Sequence, residues 1–168
     1  MADTKAKTKA KSGKDEARKN AWLKYNKTQK QEIFDYCEGY KKFISDCKTE
    51  RECVEEVVRQ AKKQGYKELS SYKTLKAGDK VIVTNMNKDV CLFVMGSEPL
   101  KNGMKILGAH IDSPRLDLKQ NPLYEDNELA MLDTHYYGGV KKYQWVTLPL
   151  AIHGVVCKKD GSTVKVVI

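Results

Sequence analysis

The chain lacks the features that would place it in a membrane, outside the cell or among the common nucleophilic enzymes. No apolar run approaches eighteen residues, so no segment reads as a transmembrane helix, and no apolar core of a secretory signal is visible. Cysteine is sparse and unpaired in pattern. Cys37, Cys47, Cys53, Cys91 and Cys157 are odd in number, form no Cys-x-x-Cys pair and have no zinc-ribbon spacing. That excludes a disulfide framework and suits a reducing, cytoplasmic setting. Glycine-rich phosphate loops are missing too. Gly138-Gly139 is too short, and no Lys-Ser/Thr follows it. Ser113 does not sit in a Gly-x-Ser-x-Gly turn, and no cysteine has a recognisable histidine partner nearby. No internal repeat is present, and only three histidines occur, at 110, 135 and 153.

Positive charge, by contrast, is in excess. Thirty-one basic and 22 acidic side chains give a net charge of +9. Residues 1–19 hold six lysines and one arginine against three acidic residues, and no large apolar side chain after Met1. Such a stretch buries nothing and reads as a disordered Lys-rich tail. An arm for nucleic acid or an anionic surface is the alternative. The tail has no aromatic to stack on bases and no arginine cluster, so a solvated tail is favoured and no nucleic-acid partner is expected. Asp3, Asp15 and Glu16 also argue against a transit peptide.

Ordered structure is expected to begin near Arg18. Thr28-x-x-Gln31 can cap a first helix running to about Cys47, with Ile33, Tyr36, Cys37, Tyr40, Ile44 and Cys47 at helical spacing. Its aromatic stripe, Tyr36, Tyr40 and Phe43, reads as core or interface packing ahead of a ligand wall. Thr49-x-x-Glu52 is a capping box for a second helix. That helix carries Cys53, Val54, Val57, Val58 and Ala61 on one face and stops at Gly65. Residues 66–80 read as a loop. Residues 81–83 and 90–95 then flank the turn-rich Asn85-Met86-Asn87-Lys88 as a β-hairpin. Ile106 and Leu107 are expected in a third strand, and residues 121–128 in a polar loop. Residues 143–156 are β-prone without a helix signal, and residues 158–161 form the turn of a last hairpin. The whole suits an α/β sheet with ligands at the strands' carboxyl ends.

The chemistry concentrates in residues 104–118. Ile106-Leu107-Gly108-Ala109 delivers His110 to the expected strand end, Asp112 follows, and Ser113-Pro114 breaks the segment. An imidazole binds metal through one ring nitrogen. A nearby carboxylate either binds metal itself or takes a hydrogen bond from the other ring nitrogen and fixes the tautomer. Side chains two apart on a strand share a face. By spacing alone, a hydrogen-bonded structural histidine is the commoner outcome. His135 reads as hydrogen-bonded ahead of a second ligand or substrate contact, and His153, within an apolar strand, as structural.

The longer string Gly108-Ala109-His110-Ile111-Asp112-Ser113-Pro114-Arg115-Leu116 resembles the Gly-Ala-His-x-Asp-Ser-Pro segment of the aspartyl aminopeptidase / aminopeptidase I family of zinc exopeptidases. Asp133-Thr134-His135-Tyr136-Tyr137-Gly138-Gly139, followed by Gln144-Trp145, resembles that family's Tyr-Gly-Gly-Gly segment and downstream tryptophan. Residues 76–81 are a weaker third match, and the resemblance runs from about Trp22 to Ile168. It implies a metal-dependent aminopeptidase acting on peptides through two divalent ions, zinc first, with cobalt or manganese as alternatives. It assigns His110 as a metal ligand and Asp112 as the catalytic-site residue that orients it. The other ligands and the general base lie downstream of the Tyr-Gly-Gly block in that family, beyond residue 168.

The fold class so implied is α/β: the amino-terminal part of a zinc-exopeptidase (phosphorylase/hydrolase-like) catalytic domain, then the start of a β-rich inserted dimerisation domain. The organisation follows as tail 1–19, catalytic part 20–118 and inserted domain 119–168. Self-association into dimers and larger homo-oligomers is implied, with no membrane partner. Two departures stand out. Trp145 is followed by Val146-Thr147-Leu148-Pro149-Leu150 where many members carry Phe-Asp-Arg-Asp-Leu, and Val140 replaces the third glycine. They imply a divergent prokaryotic branch whose substrate preference need not be acidic. The chain alternates like a strand to its last residue, so the expectation is a fragment cut inside a strand, inactive alone and weak in zinc binding. A non-catalytic assembly module or a basic nucleic-acid-binding module is the alternative function.

Overall fold

Asn20 opens the described chain, residues 20–168 of a computed structural model. The Lys-rich stretch 1–19 lies outside the described residues. The Asn20 side chain accepts from Trp22 N at 3.0 Å and starts the single turn α1 (Ala21–Lys24). The long helix α2 (Lys27–Asp46) follows. Its cap is Asn26, not the expected Thr28. Gln29 N donates to Asn26 Oδ1 at 2.9 Å, and Asn26 N donates to Gln29 Oε1 at 3.1 Å. Asparagine caps at least as well as threonine and finds its own glutamine three residues on, so the box forms earlier. The chain separates after Lys41, inside α2, into two compact units. In the first unit the Trp22 ring lies 6.0 Å from Phe34 and 6.5 Å from Tyr25. No α2 side chain is buried, and Tyr36 and Tyr40 are exposed, so the aromatic stripe forms no part of the described core.

The second unit is built on α3 (Glu50–Lys63). Its capping box is formed: Glu52 N donates to Thr49 Oγ1 at 3.3 Å, and Thr49 N to Glu52 Oε2 at 3.1 Å. It ends at Gly65, whose φ of 85° is the left-handed conformation that lets Tyr66 N reach Ala61 O at 3.1 Å. The short strand β1 (Lys67–Glu68) pairs parallel with β2 (Lys80–Asn85), which pairs antiparallel with β3 (Asp89–Val94). The turn puts Met86 and Asn87 at φ 50° and 55°, the pair of left-handed residues that matches strand twist in a tight hairpin. Helix α3 packs on β2 and β3. The buried apolar side chains are Cys53, Val54 and Ala61 from the helix and Val81 and Ile82 from β2. Of the cysteines only Cys53 is buried, and Cys37, Cys91 and Cys157 are exposed.

Beyond residue 114 the chain forms two more hairpins. β4 (Arg115–Asp126) pairs with β5 (Leu129–Tyr137), and β6 (His153–Cys157) with β7 (Thr163–Val167). The expected polar loop at 121–128 is therefore strand, closed by a turn at Asn127-Glu128, both at positive φ. A solvated hairpin carries polar side chains as readily as a loop does. Pro122 sits in the register irregularity between Leu118 and Leu123, where a missing N–H costs no ladder bond. The stretch expected to be β throughout contains a helical turn, α4 (Lys142–Trp145). Among the described residues three small sheets result, rather than one continuous α/β sheet.

Candidate metal centre

Residues 104–114 have no regular secondary structure. Ile106 and Leu107 are 78% and 100% exposed, which corrects the third strand expected there. A strand exists only through a neighbour's N–H and C=O groups, and none of the described strands pairs with this segment. His110 therefore stands on a loop.

The loop still brings His110 and Asp112 together. His110 Nδ1 lies 3.0 Å from Asp112 Oδ1 and 3.0 Å from the Asp112 main-chain oxygen. Both partners are acceptors when the carboxylate is ionised, so the neutral ring carries its proton on Nδ1 and keeps the Nε2 lone pair free. The imidazole is 84% exposed, which leaves Nε2 accessible. A second donor holds the other carboxylate oxygen: Tyr137 Oη donates to Asp112 Oδ2 at 2.7 Å. The tyrosine hydrogen bond, aided by His110, keeps the Asp112 carboxyl below its ordinary range despite a smaller opposing effect of burial. The same bond raises the Tyr137 hydroxyl.

The hairpin explains why Tyr137 is there. Arg115 and Tyr137 are opposite partners at the open end of β4–β5, so the pairing joins the His110 block to the Tyr-Gly-Gly block. Gly138 leaves the strand at φ 73°, and a Cβ on it would sit 3.5 Å from Pro114 Cα. The Arg115 guanidinium lies 4.0 Å from the Tyr137 ring centroid, a cation–π contact. Its Nη1 reaches Glu50 Oε1 at 2.9 Å and its Nε reaches Asp117 Oδ1 at 2.7 Å.

The first turn of α3 is the hub of this unit. Four consecutive residues touch four different segments. Glu50 holds Arg115. Arg51 Nη1 donates to Met86 O at 3.0 Å. Glu52 Oε1 faces His153 Nδ1 at 3.0 Å. Cys53 Sγ lies 3.7 Å from Ile111 O, in the His110 loop. Burial pushes the Glu52 carboxyl up, but the hydrogen bonds from His153 and Lys48 N, with the charges of His153 and Lys165, outweigh it and hold the group low. Burial, with nearby acidic groups, raises the Cys47 thiol to about 11 and raises Cys53 as well, so neither offers a reactive thiolate.

The other two histidines are placed elsewhere. His153 sits in β6 against Glu52, and His135 lies opposite Asp117 in β5 with its ring stacked on Tyr136 at 5.1 Å. No hydrogen bond among the described residues joins either to His110. Nor do three His, Cys, Asp or Glu side chains gather as a metal site among the described residues. The donor set present fits one part of a zinc centre: a single imidazole nitrogen and the carboxylate that sets its tautomer. Sequence reasoning missed Tyr137, Arg115 and Glu50. The available signal was a tyrosine immediately before Gly-Gly and an arginine immediately after Ser-Pro.

Residues 43–167 match the family described as aminopeptidase I zinc metalloprotease (M18). A probable M18 family aminopeptidase 1 of Clostridium acetobutylicum is 62% identical over 152 residues, covering 88% of this chain and 33% of that protein. The crystal structure of aminopeptidase I from Borrelia burgdorferi superposes with a TM-score of 0.85 at 44% identity, over 89% of this chain and 37% of that one. The M18 aminopeptidase of Thermotoga maritima does so with a TM-score of 0.81 at 41% identity, over 90% and 33%. The chain spans about a third of the length of the curated relatives it matches. It is a mixed α/β piece that matches the amino-terminal part of those structures. Family match, sequence identity and superposition agree over most of the described residues, and the chain belongs to the M18 aminopeptidase I family of zinc metalloproteases.

Proposed function

We propose that the whole protein is a metal-dependent aminopeptidase that removes amino-terminal residues from peptides, and that this chain supplies its first metal ligand. The observation that carries the reading is the His110–Asp112 pair, with Nδ1 held at 3.0 Å and Nε2 free on an exposed loop. His110 would hold one of two divalent ions. Zinc suits an imidazole oriented by a carboxylate, with cobalt or manganese as alternatives. When bound, such ions lower the pKa of a shared water and polarise the scissile carbonyl. Asp112 accepts the hydrogen bond from Nδ1–H and so keeps Nε2 unprotonated. The general base and remaining ligands are assigned to residues beyond 168, so the 168-residue chain is expected to be inactive alone.

In this reading residues 20–118 are the amino-terminal part of the catalytic domain and residues 119–168 the start of a β-rich dimerisation domain. Apolar side chains exposed on the last two hairpins, among them Leu123, Leu129, Val156 and Val164, support self-association into dimers and larger homo-oligomers. The cysteine pattern supports a cytoplasmic setting. No helix among the described residues is long and apolar enough to cross a membrane.

The test is elemental analysis and aminoacyl-p-nitroanilide hydrolysis by the complete protein. About two metals per chain and chelator-sensitive hydrolysis are expected. His110→Ala should lower kcat/KM by more than about 100-fold, beyond the range typical of groups that merely orient a ligand. A metal-free protein, or a His110→Ala variant with unchanged activity, overturns the reading.

A further inference from the structure

We propose that Tyr137 is a positioning residue for this centre: its hydroxyl, braced by Arg115 and Glu50, locks Asp112 so that His110 presents Nε2 to the metal. The inference rests on the metal reading above and adds to it a residue from the far end of the β4–β5 hairpin.

Little holds the His110 loop. It has no ladder bonds, and His110 Nδ1 is met by one residue, Asp112, through its carboxylate and its main-chain oxygen. The terminal torsion of an aspartate is broad and roughly two-fold, so a carboxylate held by one oxygen turns away readily and leaves the Nδ1 proton to the main-chain oxygen alone. Tyr137 takes the other oxygen at 2.7 Å. With Oδ1 on the imidazole and Oδ2 on the phenol, the carboxylate plane is determined. The phenol is itself placed. Its ring carries the Arg115 guanidinium at 4.0 Å, and Arg115 is tied to Glu50 on α3 and to Asp117 on its own strand. Each contact in the series Glu50, Arg115, Tyr137, Asp112, His110 positions the next, from a capped helix end to a loop without ladder bonds. The adjacent tyrosine does not share this role. Side chains alternate along a strand, and Tyr136 stacks instead on His135 under Lys142.

The test uses the 168-residue chain with ¹⁵N-labelled imidazoles, metal-free, at about pH 8, above the ordinary histidine range. Wild type is expected to show the His110 proton on Nδ1. Tyr137→Phe removes only the hydroxyl and should move the population toward the Nε2–H tautomer that free imidazole side chains prefer. Arg115→Gln leaves the hydroxyl but frees the ring, and should shift it the same way. A zinc titration read at His110 Nε2 should show affinity about tenfold weaker in Tyr137→Phe, the lower end for groups that orient a ligand. Tyr136→Phe should change neither reading. An unchanged tautomer in both Tyr137→Phe and Arg115→Gln overturns the inference, as does equal zinc affinity in wild type and Tyr137→Phe, with the metal reading left standing. In the complete protein, a His110 Nε2 that zinc leaves unperturbed overturns the metal reading and this inference with it.

Discussion

Two hairpins of this chain are held in place by different physics. Strands β2 and β3 pair residue for residue from Lys80–Val94 to Asn85–Asp89, and Val81 and Ile82 are buried under α3. Strands β4 and β5 are longer, lose register between Leu118 and Leu123, and bury no side chain. Both close through a turn of two left-handed residues, neither of them glycine. The first hairpin is fixed by apolar area removed from water. The second is fixed at its open end by Arg115 on Glu50 and Tyr137 on Asp112. Burial fixes an element as a whole, whereas polar contacts fix one point of it. The polar-fixed hairpin is the one that reaches the candidate centre, where a point is what must be fixed.

The sharpest way to break this contrast is core truncation. Ile82 is fully buried, so Ile82→Ala should cost about 2–5 kcal/mol in urea denaturation. Leu129→Ala, at an exposed end of β5, should stay within about 0.5 kcal/mol. Equal costs would mean that β4–β5 has a core of its own.

The hub comes next. Glu52 is buried and faces His153 and Lys165, and Glu52→Gln should cost about 1–3 kcal/mol near neutral pH. Its folded-state pKa lies below the ordinary 4.5. Its contribution is therefore complete above that value and is lost as pH falls through the lowered one. Wild type should lose stability relative to Glu52→Gln over that acid window, and parallel stability–pH curves for the two would contradict it.

Arg115→Gln should cost about 1 kcal/mol or less globally, because its partners are only half-buried. Amide exchange should speed up at the open end of β4–β5 and stay unchanged in β2–β3. Uniform acceleration in both hairpins would break the distinction. Smallest of all, the exposed Lys119–Asp133 pair across β4–β5 should contribute under about 0.5 kcal/mol. Lys119→Ala should become indistinguishable from wild type at high salt.

Much of the α3–β2–β3 unit was legible in the residues. Thr49 and Glu52 spell a capping box, Gly65 a stop, and Cys53, Val54 and Ala61 one buried face. The turn at residues 85–88 was legible for the same reason, since each signal lies within a few residues of what it specifies. Misreadings came where the deciding partner is remote. Ile106 and Leu107 have strand composition without a strand to pair with. Residues 121–128 look like a loop because a solvated hairpin has no apolar face to give it away. Asn26 displaced Thr28 as cap because two boxes overlap and asparagine caps at least as well as threonine.

The candidate centre divides in the same way. The approach of His110 to Asp112 is set by the sequence, because two residues on one short segment are neighbours in almost any extended conformation. What tertiary structure alone decided is everything that steadies the pair. Tyr137 reaches Asp112 across 25 positions, Glu50 reaches Arg115 across 65, and Glu52 reaches His153 across 101. Apolar burial announces itself by periodicity. A single hydrogen bond or ion pair has none, so its partner becomes known only when the hairpins close and α3 presents its first turn to them.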